Sequence, residues 1–210
     1  MNVIEAIKNR RAVKHFDANF EIPDGDLRKL MSAGALAPTS FNMQNRQFVA
    51  VTDAAVKAKL KAASWNQEHV GDASVVIVVA GNFKAHQTPK KFLRTAPEKV
   101  REMFTPMIGQ FYEGKDELIR DEACRSVGMA AMNLMLAAQD LGYESCPLIG
   151  FDPQQVAEIV GLSAEMPPLM LVTVGKGIEA AWPRLGLYNL EEIVSINKFD
   201  NRAMEGSAEG

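Results

Sequence analysis

The sequence has 210 residues, of which 47% are hydrophobic and 23% are charged, and its formal net charge is −3. This composition is typical of a folded globular protein and excludes global disorder. The acidic excess argues against nucleic-acid binding, because phosphate contacts usually need a basic imbalance. Domains average roughly 150 residues, so the length fits one large domain or two small ones.

The N-terminus and the cysteines bear on location. Residues 1–8 have no basic segment followed by an apolar one, so no secretory signal is expected. The most apolar stretch, Val127–Ala138, is too short for a membrane span of roughly 20 residues. Two cysteines, Cys124 and Cys146, are too few for a disulfide framework or a four-ligand zinc site. These features predict a cytoplasmic protein with reduced thiols, no metal site and no membrane partner.

The first half of the chain is predicted to alternate helices with strands. Helices are recognised by apolar residues at helical spacing and by Pro, Asp and Gly at their ends. Strands are recognised by β-branched runs, and a continuous run indicates burial on both faces. In chain order, the predicted elements are a helix at Val3–Ile7, a helix from Pro23 to Gly34, a loop at Pro38–Gln44, a strand at Gln47–Thr52, a helix capped by Asp53, and a strand at Ser74–Ala80.

The second half continues the pattern. The predicted elements are an amphipathic helix at Pro97–Tyr112, a helix from Glu122 to Leu141 that ends before Gly142, a helix capped by Asp152 and running to Val160, and a strand at Leu169–Val174. The Glu122–Leu141 helix is apolar on nearly every side, so the core or another subunit must cover it. The alternation indicates an α/β or α+β protein. We expect one domain at 1–199 and a flexible polar tail at 200–210.

A glycine-rich segment follows the last predicted strand. Gly175–Ala180 fits the G-x-G-x-x-G/A pattern of dinucleotide-binding folds. That fold needs a helix of several turns there, but Pro183 would break it early. The pattern therefore favours a turn after an interior strand.

Two further segments carry polar chemistry. Arg10, Arg11 and Lys14 place three cations within five residues, which suits either a phosphate site or a solvated basic face. The loop Pro38–Gln44 offers hydroxyls and amides, which either surround a polar ligand or satisfy their own backbone. Neither segment decides between its two readings by itself.

Taken together, these segments resemble the FMN-dependent nitroreductase family. Its motifs are R-R/H-S-x-R/K-x-F near the N-terminus, P-S-S-x-N-x-Q, P-x-x-G-F and a late basic pair. The corresponding segments here are Asn9–Phe16 (N-R-R-A-V-K-H-F), Pro38–Gln44 (P-T-S-F-N-M-Q), Asn66–His69 ahead of Asp72–Ser74, Pro147–Asp152 (P-L-I-G-F-D) and Trp182–Leu185 (W-P-R-L). Their order and spacing cover nearly the whole chain.

The resemblance implies a fold and a cofactor. It implies an α+β nitroreductase-like fold, in which helices flank a central mixed β-sheet and two chains form an intertwined homodimer. It also implies FMN bound between the subunits. The implied cofactor-binding residues are Arg10, Arg11, Lys14, Ser40, Asn42, Gln44, Asn66, His69, Pro147, Leu148, Ile149, Gly150, Lys176 and Arg184.

Within this set the resemblance assigns roles. Three arginines, Ser40 and Asn42 would hold the phosphate and ribityl chain, while Lys14 and Asn66 would face the pyrimidine edge of the flavin. Residues 147–150 would pass near flavin N5, where glycine permits close approach. The aromatic residues Phe104, Phe111 and Tyr112 either line a substrate pocket or form a packed amphipathic face.

The sequence departs from the family pattern at several positions. Ala12 replaces a Ser, and Ile149 replaces a Glu that certain members place beside the flavin. Trp182 stands where some members have Lys or Arg, and Lys176 is a possible substitute for that cation. His69 stands where some members have Lys.

The implied function is an oxidoreductase. NADH or NADPH would reduce FMN, and electron-poor acceptors such as nitroaromatics, quinones or activated alkenes would then take the electrons by ping-pong hydride transfer through flavin N5. No protein side chain needs to act as a nucleophile. Two alternatives stay open: a flavin-binding module without turnover, for storage or sensing, and an enzyme of the same fold with different flavin chemistry.

Overall fold

The computed structural model describes residues 1–199, so the tail predicted at 200–210 lies outside the described residues. At its centre is a sheet in the order β1-β2-β4-β3. The strands are β1 (Arg46–Val51), β2 (Val75–Gly81), β3 (Glu144–Leu148) and β4 (Pro168–Gly175). The helices are α1 (Val3–Asn9), α2 (Asp24–Ala35), α3 (Ala54–Ala63), α4 (Glu68–Asp72), α5 (Pro89–Phe92), α6 (Glu98–Tyr112), α7 (Asp116–Asp140), α8 (Pro153–Val160) and α9 (Leu190–Ile193), with 3₁₀ turns at Ser40–Asn42 and Ala85–Gln87.

The sheet confirms the α+β class but differs in strand direction from the mixed sheet expected. All three neighbouring pairs among the described strands run antiparallel. A parallel contact is found at the isolated bridge between Ala12 and Ser145. Helices cover both faces of the sheet, which explains why the apolar run of β2 is continuous although its partners are antiparallel.

Alternate residues of β2 pack into two separate layers. Val75, Ile77 and Val79 join a core cluster with side chains of α2 and α7. Val76 and Val78 point to the other face, where α3, α4 and α8 contribute. This is the period-two alternation of a strand. The molecule therefore has a three-layer core that is centred on β2.

The predicted helix ends are confirmed by their capping contacts. Asp53 accepts a hydrogen bond from the Val56 N–H at 2.9 Å at the start of α3. Asp152 accepts bonds from the N–H groups of Gln154 and Gln155 at the start of α8. Gly142 follows α7 with φ +82, a conformation that favours glycine after a helix.

Helix α7 is longer than predicted and is covered on one side only. It begins at Asp116 rather than Glu122, because acidic residues in a first turn complement the helix dipole. Ala130, Leu134 and neighbouring residues are buried in the core. An apolar stripe that includes Met129 (37% exposed) and Met132 (43% exposed) faces away from the core.

Some elements have too weak a sequence signal to be predicted. Strand β3 reads E-S-C-P-L, and its proline is tolerated because β3 lies at an edge of the sheet. Helices α4, α5 and α9 have only four or five residues each. The glycine-rich segment after β4 starts no helix, as expected from Pro183. Within residues 1–199, no helix is both long enough and apolar enough to cross a membrane.

Candidate functional site

The segment after α1 and the segment after β4 enclose a basic cavity of about 430 Å³. We call it the four-cation cavity, because Arg10, Arg11, Lys14 and Arg184 all line it. The remaining lining residues are His15, Trp182 and three alanines, and no Asp or Glu is among them. Of the cations predicted from the sequence, these four are therefore brought together.

Backbone pairing places the first three of these cations. Val13 donates its N–H to the Ser145 carbonyl of β3 at 3.1 Å. On the other side of the same segment, the His15 carbonyl accepts a hydrogen bond from the Ile178 N–H at 3.0 Å. The basic segment is thus held in extended form between β3 and the chain that leaves β4.

Two arginines also join the segment after α1 to the segment after β4. Arg11 Nη2 donates to the Trp182 carbonyl. Arg184 Nη2 donates to the carbonyls of Lys8 at 3.1 Å and Arg10 at 3.4 Å. An arginine has five N–H donors, so each keeps donors for a ligand while one nitrogen fixes the backbone.

A buried histidine lies close to this cavity. His69 is 3% exposed, and its Nε2 has no hydrogen-bond partner within the described part of the chain. Burial lowers its pKa, and the positive charges of Lys14 and His15 lower it further. Buried polar atoms are nearly always paired, so an orphaned ring nitrogen beside a cavity points to a missing ligand.

The thiol of Cys146 borders the same region. Burial raises its pKa, while Lys14 and Arg10 oppose that shift through their charges. The thiol is therefore protonated at neutral pH and behaves as a small apolar group.

The segment at Pro147–Gly150 meets the stretch before α4, where the sequence analysis assigned a role to Asn66 but none to Trp65 or Gln67. Gln67 donates to the Gly150 carbonyl at 2.8 Å and to the Ser64 carbonyl at 3.1 Å. A Cβ on Gly150 would lie 2.8 Å from the Trp65 ring, so the packing of Trp65 by itself requires glycine at this position. Ile149 is 75% exposed beside it, whereas Leu148 is buried.

Trp65 and Asn66 have left-handed backbones, with φ of 55 and 56. Non-glycine residues rarely adopt this conformation, and it often marks a functional site. Asn66 was predicted, but Trp65 and Gln67 were missed. The only available signal for them was an exposed tryptophan beside an asparagine.

The predicted polar loop is also strained, but it lies elsewhere. Phe41, Asn42 and Gln44 have φ of 52, 55 and 48. The Ser40 N–H donates to Glu122 Oε1 at 3.4 Å, and the Gln44 N–H donates to Thr39 Oγ1 at 2.9 Å. Within residues 1–199, no hydrogen bond or ion pair joins this loop to the four-cation cavity.

The aromatic residues of α6 pack against this loop. Phe41 makes edge contacts with Phe104, Phe111 and Tyr112 at centroid distances of 6.2, 5.8 and 6.3 Å. Tyr112 is 2% exposed and donates its hydroxyl to Ser40 Oγ at 3.2 Å. Tyr112 is thus a core residue that supports the loop, while Phe111 is 44% exposed.

Lys176 lies apart from the other predicted cations. Its side chain is exposed, and its carbonyl accepts the Asp17 N–H at 2.9 Å. It does not line the four-cation cavity. The structure therefore does not bring it into the position of the cation that Trp182 replaces.

Comparison with known proteins identifies the family. The model of the nitroreductase family matches residues 7–176. The chain belongs to the nitroreductase family. This match contains the polar loop and most of the four-cation cavity, and it ends before Arg184.

Individual relatives of this nitroreductase agree over most of their length. The protein DrgA of Synechocystis sp. is 43% identical over 182 residues, which cover 86% of this chain and 87% of DrgA. MhqN of Bacillus subtilis, assigned as a NAD(P)H nitroreductase, is 33% identical over 177 residues, with 81% and 86% covered.

One solved structure extends the comparison to a bound ligand. It is that of a protein from Exiguobacterium sibiricum, assigned as a nitroreductase and in complex with FMN. It superposes with a TM-score of 0.86 at 30% identity, covering 93% of this chain and 97% of that chain. The expected family and its fold are thereby confirmed.

Proposed function

We propose that this nitroreductase-family chain is an oxidoreductase that binds FMN and uses NADH or NADPH to reduce small electron-poor acceptors. One observation carries the proposal: a cavity lined by four cations and no acid, next to a buried histidine whose Nε2 has no partner in the described residues. MhqN, with its NAD(P)H assignment, and the FMN complex of the E. sibiricum protein support it.

The four-cation cavity fits the phosphate of FMN. That group carries a charge of about −2 near neutral pH. Arg10, Arg11 and Arg184 offer planar guanidinium groups that bind phosphate in a bidentate manner. Because no acid lines the cavity, the four like charges would repel one another until an anion neutralises them.

The other predicted residues fit the flavin ring. Lys14 would stabilise negative charge at the pyrimidine edge, where Asn66 offers an amide. His69, neutral at neutral pH because its pKa is lowered, would give or accept one hydrogen bond at Nε2. Pro147, Leu148, Ile149 and Gly150 would present backbone beside the ring.

When bound, FMN supplies the redox chemistry by carrying two electrons from the nicotinamide to the acceptor. The protein residues bind and orient, and none acts as a nucleophile. Ile149 makes that side of the pocket apolar and leaves no acid there, so water would supply the second proton. The acceptors expected are flat and electron-poor: nitroaromatics, quinones or activated alkenes. Phe104 and Phe111 offer partly exposed rings on which such molecules would stack.

We further propose that the active form is a homodimer. Ser40, Asn42 and Gln44 are predicted to contact FMN, but their loop packs on α6, apart from the four-cation cavity of the same chain. The loop of a second copy would complete each site. The C-terminal arm, residues 178–199, carries exposed apolar side chains, including Leu185 (98% exposed) and Leu187 (78% exposed), which need such a partner.

The described residues also support a single domain at 1–199, because both main core clusters share β2. We also propose a cytoplasmic location for the protein. Both cysteines are free thiols, as expected for a reducing compartment.

The test is spectroscopic. Purified protein is expected to be yellow and to release FMN on acid denaturation. Anaerobic addition of NADH or NADPH is expected to bleach the flavin, and a panel of acceptors is expected to restore the colour. Protein that stays colourless after FMN is added would contradict the proposal. A bound flavin that neither nucleotide reduces would favour a storage or sensing module, for which the departures Ala12 and Ile149 leave room.

A further inference from the structure

A second basic cavity, of about 240 Å³, lies between the start of β1 and α5, beside the polar loop. Its polar lining residues are Gln44, Arg46, Gln47, Asn82, Thr88, Lys91 and Arg94. No lining residue of the four-cation cavity belongs to it. None of the family motifs accounts for its cations.

Arg46 is the unusual member of this second cavity. Its side chain is 7% exposed, and its Nη2 donates to the carbonyls of Ala35 at 2.5 Å and Ala37 at 2.8 Å. These carbonyls lie at the C-terminal end of α2, where a cation complements the helix dipole. Its Nε and Nη1, however, have no hydrogen-bond partner among residues 1–199.

An unpaired buried guanidinium is costly. Arginine stays protonated in proteins, so its charge must be compensated by neighbouring groups. Burial lowers the pKa of Arg46, and no carboxylate in the described chain forms an ion pair with it. The two helix-end carbonyls satisfy one nitrogen only. The cavity that Arg46 lines therefore carries a positive charge that no protein carboxylate among the described residues compensates.

The other lining residues of this cavity also favour a negatively charged ligand. Lys91 and Arg94 are exposed cations at the rim, and no Asp or Glu lines the cavity. Gln44, Gln47, Asn82 and Thr88 add amide and hydroxyl donors. Several charged and neutral donors around one space match an oxyanion with several acceptor oxygens.

We propose that this second cavity binds a phosphate group. A dianionic phosphate matches three cations better than a single carboxylate does. The space is larger than inorganic phosphate requires, since one water occupies about 30 Å³ of liquid, so a phosphomonoester with a small organic part fits it. The proposal does not rest on the proposed flavin chemistry, because this cavity shares no residue with the four-cation cavity, and Gln44 is the single lining residue that also belongs to the predicted FMN contacts.

The test is calorimetric titration of the full-length protein, saturated with FMN, with inorganic phosphate and with ribose 5-phosphate at constant ionic strength. Both ligands are expected to bind, and ribose is expected not to. The double variant Lys91→Gln/Arg94→Gln should weaken binding about tenfold or more, since each change removes a charged hydrogen-bond donor. Arg28→Gln/Lys59→Gln, which removes the same charge from exposed positions on α2 and α3, should leave binding unchanged.

Further variants separate this site from the four-cation cavity. Lys14→Gln is expected to leave phosphate binding intact; phosphate binding that is lost in Lys14→Gln but kept in Lys91→Gln/Arg94→Gln would overturn the proposal. Absence of binding by either ligand would overturn it too. Arg46→Met substitutes for the unbranched stem of the arginine but removes the guanidinium, and it is expected to abolish binding; the two rim substitutions test the site if Arg46→Met does not fold. Tighter binding of ribose 5-phosphate than of inorganic phosphate would identify a phosphomonoester as the ligand class of this cavity. Equal binding of the two would identify free phosphate as the ligand.

Discussion

Two buried cationic or titratable side chains, His69 and Arg46, carry nitrogen atoms without partners in the described chain. Buried hydroxyls such as that of Ser126 are also unpaired, but a neutral hydroxyl costs far less to bury than a guanidinium. Arg46 lines the second cavity, and His69 lies near enough to Lys14 and His15 of the four-cation cavity for their charges to lower its pKa. At the residue scale, these unsatisfied atoms indicate where ligands are needed.

His69 is expected to make stability depend on pH. Its pKa is lowered from 6.5 by burial, Lys14 and His15, with Asp72 opposing. Below the unfolded value of 6.5, the unfolded chain binds a proton that the folded chain resists, so folding stability falls as pH drops from 6.5 towards the lowered pKa. His69→Gln, which cannot titrate, should flatten this decline in urea unfolding of FMN-free protein measured between neutral and mildly acidic pH. An unchanged decline in the variant would show that other groups cause it.

Lys14 is expected to act on the flavin. Lys14→Glu should weaken FMN binding by about tenfold or more, because a charged donor becomes a repelling acid. It should also lower the reduction potential of any FMN that binds, since the reduced ring loses a stabilising cation. Fluorescence titration and a redox titration measure the two effects. Lys59→Glu, on the exposed side of α3, is the matched control, and equal results for both variants would remove Lys14 from the site.

At the scale of elements, close packing of α2 on α7 fixes one side of the core. Gly34 of α2 lies against Leu134 of α7, and a Cβ on Gly34 would come within 2.9 Å of Leu134 Cγ. Leu134 is fully buried and cannot swing aside freely. The backbone of Gly34 is ordinary helix, so its conformation does not require glycine. The requirement comes from the neighbouring Leu134 side chain.

Two alanine substitutions on the same helix test this packing. Gly34→Ala should lower the free energy of unfolding by about 1 kcal/mol, because overpacking of 1–3 kcal/mol outweighs a helix-propensity gain of about 1 kcal/mol. For a protein of this size, that corresponds to a melting temperature about 2–4 °C lower. Gly25→Ala, with no atom within 4 Å of the added Cβ, should leave stability unchanged or raise it. Thermal unfolding of both variants makes the comparison, and equal stability of the two would refute the close approach.

At the scale of the whole molecule, many large apolar side chains of the described chain are exposed and do not pack into the core. The C-terminal arm, the stripe at Met129 and Met132, and the outer side of α1 with Val3 and Ile4 all face away from the core. Exposed apolar patches of this extent usually mark an interaction surface. The homodimer proposed above would cover this surface and would also explain the separation of the two groups of predicted FMN residues.

The proposed dimer can be broken from the arm. Leu185→Glu/Leu187→Glu should convert a dimer into monomer in sedimentation analysis, because burying two carboxylates in an apolar contact is strongly unfavourable. FMN binding should weaken in parallel, since each site would lose the partner's loop. Leu36→Glu changes a leucine that is 81% exposed after α2 and should leave the oligomeric state unchanged. A wild-type chain that sediments as a monomer with FMN bound would contradict the dimer.

Local sequence signals determined much of this protein. Caps at Asp53 and Asp152, the buried β2 and the turn after β4 follow from short-range propensity and periodicity, which act within a few residues. The cluster of Arg10, Arg11 and Lys14 was visible for the same reason. Only the tertiary structure decided that the Arg184 guanidinium lies against the carbonyls of Lys8 and Arg10, that Trp65 packs against Gly150, and that Arg46 is buried with two nitrogens unpaired among the described residues. Those facts depend on contacts between residues far apart in the chain, which no local pattern encodes. The net charge of −3 gave no hint of local basic sites, whereas folding brings seven of the 23 lysines and arginines to two cavities that no acid lines.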